Sequence, residues 1–292
     1  MGAGFGLLAA ITYGAADFLG GLVSRRTNVF GVVFFSQLVA AAPLVALIPV
    51  LGGGGPTVQA WVWGGLAGAA GGAGVTFLYR GLAIGSMTVV APITAVVAGV
   101  ASVVFGIATG ERPSMIALIG VGAAFVAVIL VSSASPDLGS ETDVDIETSI
   151  EAVSNARPPG LFHALAAGLS FGAFFIFLDG AGDDTGIWPL LATRAASLSV
   201  LGVISVASRQ AIKPAPGTWP LIAAAGLLDV GANAFYLVAT RRGLLSLVAV
   251  LTSLYPATTV LLARIVLKER MKSTQLAGLA VAAVAIALIV LG

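Results

Sequence analysis

The sequence predicts an all-α integral membrane protein, with ten transmembrane helices arranged as two inverted five-helix repeats. Composition is the first ground. Hydrophobic residues make up 58% of the 292 residues and charged residues 9%, with a mean hydropathy of +1.06, whereas soluble domains are about a quarter charged. Secondly, apolar runs of the roughly twenty residues needed to cross about 30 Å of hydrocarbon recur along the chain. Thirdly, the two halves of the sequence match each other at a constant offset.

Charge clusters and Gly/Pro punctuation divide the first half into spans near 3–24, 29–51, 60–80, 86–109 and 114–133. The second half gives 161–179, 187–208, 219–240, 244–267 and 274–291. The first span reads as a membrane helix rather than a cleaved signal, because no Lys or Arg precedes a run that is already too long.

Between the fifth and sixth spans, the stretch beginning "SPDLGSETD" carries Asp137, Glu141, Asp143, Asp145, Glu147 and Glu151, six of the thirteen acids. It lacks the spacing and central glycine of a calcium loop and reads as a solvated linker. The domain reading is therefore a first repeat at 1–133, an acidic linker at 134–159 and a second repeat at 160–292.

A shift of 158 residues aligns the repeats without gaps, laying Gly14-Ala15 on Gly172-Ala173, Trp61 on Trp219, Phe77 on Phe235 and Gly85 on Gly243. It also lays Glu111-Arg112 on Glu269-Arg270, and Gly120 on Gly278. Five spans per copy is an odd number, so the second copy enters the membrane from the opposite side. Inverted repeats of this kind can exchange conformations, which is the architecture of alternating access.

Two five-helix units, a proline in the fourth and ninth spans (Pro92, Pro256), and a Glu followed nine residues later by Gly after each make up the pattern. It resembles the EamA-type transporters of the drug/metabolite transporter superfamily. The resemblance implies a carrier of small metabolites, amino acids or amphipathic compounds, often outward, with a cavity lined mainly by helices one, three, four, six, eight and nine. The "YGAADFLGG" start departs from the Trp-Gly often found early in the family's first helix.

Charged side chains at bilayer depth are costly and usually face protein or a water-filled cavity. Asp17 qualifies, with Tyr13 one turn earlier on the same face. Asp229 qualifies too, with Asn233 and Tyr236 at i+4 and i+7, as do Arg194 and Gln37. Three roles are open for Asp17: a structural hydrogen bond or salt bridge with Arg194, a place on the substrate or proton pathway, or solvation near the interface. Across the repeat Asp17 meets Phe175, Asp229 meets Gly71, Asn233 meets Val75 and Arg194 meets Ser36. These polar residues occur once only, as an asymmetric ligand would require.

Phe171, Phe174 and Phe175, together with Tyr79 and Tyr255, fall on helices that the resemblance places near the cavity, and rings suit planar or amphipathic ligands. Pro92 and Pro256 free the carbonyls of Thr88 and Thr252 and are candidate hinges or static bends. Gly64, Gly68 and Gly72 form a ridge suited to close packing. Glu111-Arg112 and Glu269-Arg270 are read as turn residues able to cap a helix. The glycines at 52–55 lack the Lys-Ser/Thr ending of a phosphate loop, and His163 reads as an interfacial histidine.

A net charge of +1 gives no basic surface for nucleic acid, and the absence of cysteine removes thiolate chemistry. One histidine excludes a histidine-rich metal centre. No cofactor is expected, and the partners are a small-molecule substrate, with protons as a further candidate, and the lipid bilayer. The expected function is a secondary transporter that exports or exchanges its substrate, in the inner (plasma) membrane of a prokaryotic cell. A channel or non-transporting membrane protein is the alternative, and an intramembrane enzyme lacks the clustered acids or activated nucleophile it would need.

Orientation is left open by opposing signals. A cytoplasmic amino terminus, which the resemblance suggests, leaves Arg112, Arg241 and Arg242 inside, with nine Lys and Arg residues outside. The positive-inside rule favours the reverse.

Overall fold

The computed structural model describes residues 2–51, 55–85, 87–132, 160–208, 213–267 and 273–292. The linker at 134–159, the pair Glu269-Arg270 and the glycines at 52–54 lie outside the described residues. The first repeat contains α1 (Gly2–Ser24), α2 (Val29–Leu51), α3 (Val58–Ile84), α4 (Met87–Ala108) and α5 (Met115–Ser132). The second contains α6 (Leu161–Asp179), α7 (Trp188–Ser208), α8 (Trp219–Thr240), α9 (Leu245–Thr252), α10 (Tyr255–Leu267) and α11 (Ser273–Leu291). Helices α9 and α10 are the two pieces of one apolar span, Leu245–Val266. Strands are absent among the described residues.

Helices are what such a sequence must form, because hydrocarbon offers no partner for a backbone N–H or C=O outside the segment itself. Among the described residues, seven spans are long and apolar enough to cross a membrane by length and composition, while α5 and α7 carry shorter apolar stretches, Met115–Val131 and Trp188–Val203. Glycines dilute the hydropathy of α3, yet its 27 residues reach about 40 Å at the helical rise per residue.

The spans pack across the two halves: α1 on α8, α3 on α6, α4 on α6, α1 on α9 and α10, and α5 on α11. Under the 158-residue register α1 with α8 is the counterpart of α6 with α3, and α5 with α11 is its own counterpart. The pairing thus follows the pseudo-twofold expected of inverted repeats.

Repeated glycines mark the closest of these contacts. A Cβ on Gly14 would stand 2.6 Å from Thr258 Cβ on α10, and one on Gly172 would stand 2.7 Å from Ala101 Cβ on α4. Gly120 and Gly278 do the same between α5 and α11, where a Cβ would meet Ile289 Cγ1 at 2.8 Å and the Leu130 carbonyl carbon at 2.9 Å. In an apolar solvent, helix association depends on such small residues to bring backbones together.

The Gly64-Gly68-Gly72 ridge faces α7 of the other half. Thr193 Oγ1 donates to the Gly64 carbonyl at 3.0 Å, and Ser197 Oγ donates to the Gly68 carbonyl at 3.0 Å. Gly226 lets α8 approach Ser36 of α2 in the same manner.

The two prolines behave differently. Helix α4 runs unbroken through Pro92, whereas the ninth span stops at Thr252 and restarts at Tyr255. Pro256 then lies in the first turn of α10, where its missing N–H removes no helical bond. His163 sits in the first turn of α6 with its ring 6.3 Å from Phe77. Its repeat counterpart Phe5 stands 6.3 Å from Phe235, so His163 fills an aromatic packing position.

One face of the bundle is tied together across the halves by Glu111, in the turn between α4 and α5. Its carboxylate accepts from the backbone N–H groups of Leu245 at 2.6 Å and Ser246 at 3.0 Å, capping the start of α9. On the same face Arg241 donates to Thr185 Oγ1 and the Gly186 carbonyl, and the Arg242 guanidinium lies 5.4 Å from the Phe5 ring centre.

Candidate functional site

A pocket with about 560 Å³ of empty space, the open solvent at its mouth included, lies among the helices of both repeats. From α1 come Tyr13 and Asp17, from α2 Gln37, from α7 Thr193, Arg194 and Ser197, and from α8 Asp229 and Asn233. The remaining wall is Gly71 and Val75 of α3, Ala98 of α4, Phe171, Phe174 and Phe175 of α6, and Tyr255 at the start of α10. All six helices expected from the resemblance contribute, and α2 and α7 are additional.

The polar groups form a chain across four helices. Arg194 Nη2 lies 2.8 Å from Asp229 Oδ2, and Arg194 Nη1 donates to Gln37 Oε1. Asn233 Nδ2 donates to Asp229 Oδ2 at 3.2 Å and to the Asp229 carbonyl at 2.8 Å. Tyr13 completes the chain, donating its hydroxyl to Asn233 Oδ1 at 2.5 Å. The contact between Arg194 and Asp229 is an ion pair rather than an aligned hydrogen bond, and Arg194 Nε has no acceptor among the described residues.

The ridge of α3 explains why an arginine can sit there. Thr193 and Ser197 are fastened to carbonyls of α3, which fixes the turn of α7 carrying Arg194. The guanidinium is 3% exposed and Asp229 19%, so the ion pair is set back from the open space.

The salt bridge considered for Asp17 is not formed: Arg194 takes Asp229 instead, because α7 and α8 present both groups to one point. Asp17 lines the cavity without a hydrogen-bond donor or cation in reach among the described residues.

Tyr236 is also placed differently from its expected stripe. It is fully buried, stacked on Phe175 at 4.5 Å and donating to the Phe175 carbonyl at 3.3 Å, behind the lining. At i+7 from Asp229 it lies about two turns further along α8 and supports the wall from behind. Tyr79 likewise packs away from the cavity, against Gly20 of α1. Phe171, Phe174, Phe175 and Tyr255 do line the cavity, the last with its hydroxyl donating to the Ala91 carbonyl at 3.3 Å.

The duplication organises the cavity residue by residue. Tyr13, Asp17, Asp229 and Asn233 have as repeat counterparts Phe171, Phe175, Gly71 and Val75, and both members of every pair are on the lining. One repeat-related wall is polar and the other apolar. Gly71 and Val75 were not singled out from sequence, although the shift that pairs them with Asp229 and Asn233 pointed to them. Thr193 and Ser197 gave no such signal, since a hydroxyl inside a membrane helix usually serves its own backbone.

An inverted-repeat bundle of apolar helices with a polar chain around a cavity between its halves is the arrangement of multi-pass membrane transport proteins. The EamA-like transporter family model matches residues 1–133 and 158–291, nearly the whole of both halves, and the chain belongs to that family. A solved structure described only as "Crystal structure of protein" shares the fold, with a TM-score of 0.73 at 14% identity over 99% of this chain and 96% of that one. No curated protein sequence matches the chain significantly.

Proposed function

We propose that this protein is a secondary carrier that exports or exchanges a small metabolite, amino acid or amphipathic compound by alternating access of its two halves. The observation that carries the reading is the cavity itself: buried polar groups from both repeats converge on a space bounded by repeat-related walls. Charges at such depth are costly and mark ligand or ion pathways. In this reading Asp229 and Asn233 bind polar groups of the substrate, and Asp17 binds substrate or exchanges protons. The break between α9 and α10 and the proline in α4 are the places where the halves would bend. The inner membrane of a prokaryotic cell is the proposed location.

The test is counterflow in proteoliposomes loaded with labelled amino acids, amines and organic acids. A carrier gives saturable, trans-stimulated uptake, and a channel gives none. Folded Asp17→Asn and Asp229→Asn proteins should lose rate or pH dependence; wild-type behaviour in both would overturn the site assignment.

A further inference from the structure

The hydrogen-bonding inventory of the cavity indicates the charge of its ligand. Its donors are largely committed: the Tyr13 hydroxyl to Asn233, the Asn233 amide to Asp229, and the Arg194 guanidinium to Gln37 and Asp229. The hydroxyls of the α7 lining donate to backbone carbonyls. Among the described residues the donors left over are the neutral amide nitrogen of Gln37 and the Nε and Nη2 groups of Arg194, both buried within a guanidinium whose charge Asp229 balances. The acceptors are not committed: both Asp17 oxygens are free, and so is Asp229 Oδ1.

Charge points the same way. Arg194 and Asp229 neutralise each other, which leaves Asp17 as the carboxyl group of the lining with no cation or hydrogen-bond donor on it among the described residues, able to ionise against a cationic ligand. Opposite it, across the pseudo-twofold, stand Phe175 and Phe171. A carboxylate without a partner, facing aromatic rings in a water-poor space, attracts a cation with an apolar body, since the rings add cation–π attraction and the carboxylate supplies the counter-charge.

We propose that the ligand is an organic monocation, with its charged nitrogen at Asp17 and its apolar or aromatic body on the Phe171 and Phe175 wall. This rests on the carrier reading of the same cavity and specifies the chemical class carried. An anion would meet Asp17 and find no uncommitted cation. A neutral ligand would leave the carboxylate unpaired.

Three probes of similar size separate the alternatives: 2-phenylethylammonium, 2-phenylethanol and 3-phenylpropanoate, titrated calorimetrically into the full-length protein in lipid nanodiscs at neutral pH. The cation should bind at least tenfold more tightly than either of the others. Asp17→Asn should bring the ratio of cation to alcohol close to one, chiefly by weakening binding of the cation. Equal binding of the three probes, or tighter binding of the anion, overturns the proposal on wild-type protein alone, whether or not the variant folds. Cation-selective binding without counterflow would sustain this inference and overturn the carrier reading. Counterflow of the anion in place of the cation would do the opposite.

Discussion

Arg194 of α7 and Asp229 of α8 form an ion pair at 2.8 Å, with the arginine 3% exposed. Both residues belong to the second repeat, so the pair links two consecutive helices of one half and leaves Asp17, from the other half, to face the cavity. Removing one partner strands the other charge in a poorly solvated site, a loss of about 3 kcal/mol or more for a buried pair. Asp229→Ala should therefore lower the thermal unfolding midpoint in detergent by several degrees. The double variant Arg194→Met with Asp229→Leu should recover most of that loss, because a neutral, well-packed replacement removes the desolvation cost as well.

Tyr13 touches the same chain at its far end, through a hydrogen bond of 2.5 Å to Asn233. Tyr13→Phe keeps the ring and its edge contact with Phe175, 6.4 Å between centroids. Stability should change by only about 1 kcal/mol, the net worth of a typical hydrogen bond. The freed Asn233 oxygen joins the acceptors of the cavity, so binding of 2-phenylethylammonium by the purified variant should change while its elution profile and unfolding midpoint stay near wild type.

Glu111 caps α9 from the opposite repeat with two backbone hydrogen bonds. Glu111→Ala leaves the N–H groups of Leu245 and Ser246 without an acceptor and also removes a negative charge from a helix start. The expected loss is about 1–2 kcal/mol. Hydrogen exchange should rise locally at the start of α9, with the core of α8 protected as before; unchanged exchange at Leu245 and Ser246 would contradict the cap.

Two neighbouring glycines of α3 make a matched pair. A Cβ on Gly68 would collide with backbone atoms of Thr193, at 2.8 Å from its Cα and carbonyl carbon, whereas a Cβ on Gly65 would meet nothing within 4 Å. Gly68→Ala should push α7 outward, moving Arg194 and lowering both the folded yield and the unfolding midpoint. Gly65→Ala should match wild type in both, and equal behaviour of the two variants would show that the ridge is not a packing contact.

Much of this was readable in the chain before any coordinates. The spans of the first half fall within a few residues of α1 to α5, and the offset that aligned Gly14 with Gly172 and Gly120 with Gly278 finds those glycines at equivalent helix crossings. The once-only residues Tyr13, Asp17, Arg194, Asp229 and Asn233 all reach one cavity. Tyr236 does not, because seven residues carry it about 10 Å along the helix axis from Asp229, to a level where its ring stacks on Phe175 behind the lining. The break before Tyr255 was legible only as a proline, since Pro92 lies in an unbroken helix.

What the sequence determined by itself is the solvent, the number of crossings, the duplication and the small set of residues too polar to face lipid. These follow from local composition and periodicity, which the chain carries wherever it lies. Which carboxylate Arg194 neutralises, which one stays open, and that Tyr13, Asp17, Asp229 and Asn233 share the lining with their apolar counterparts depend on distances between helices separated in sequence. Those distances are set by how closely glycines let the backbones approach, a property of two surfaces together.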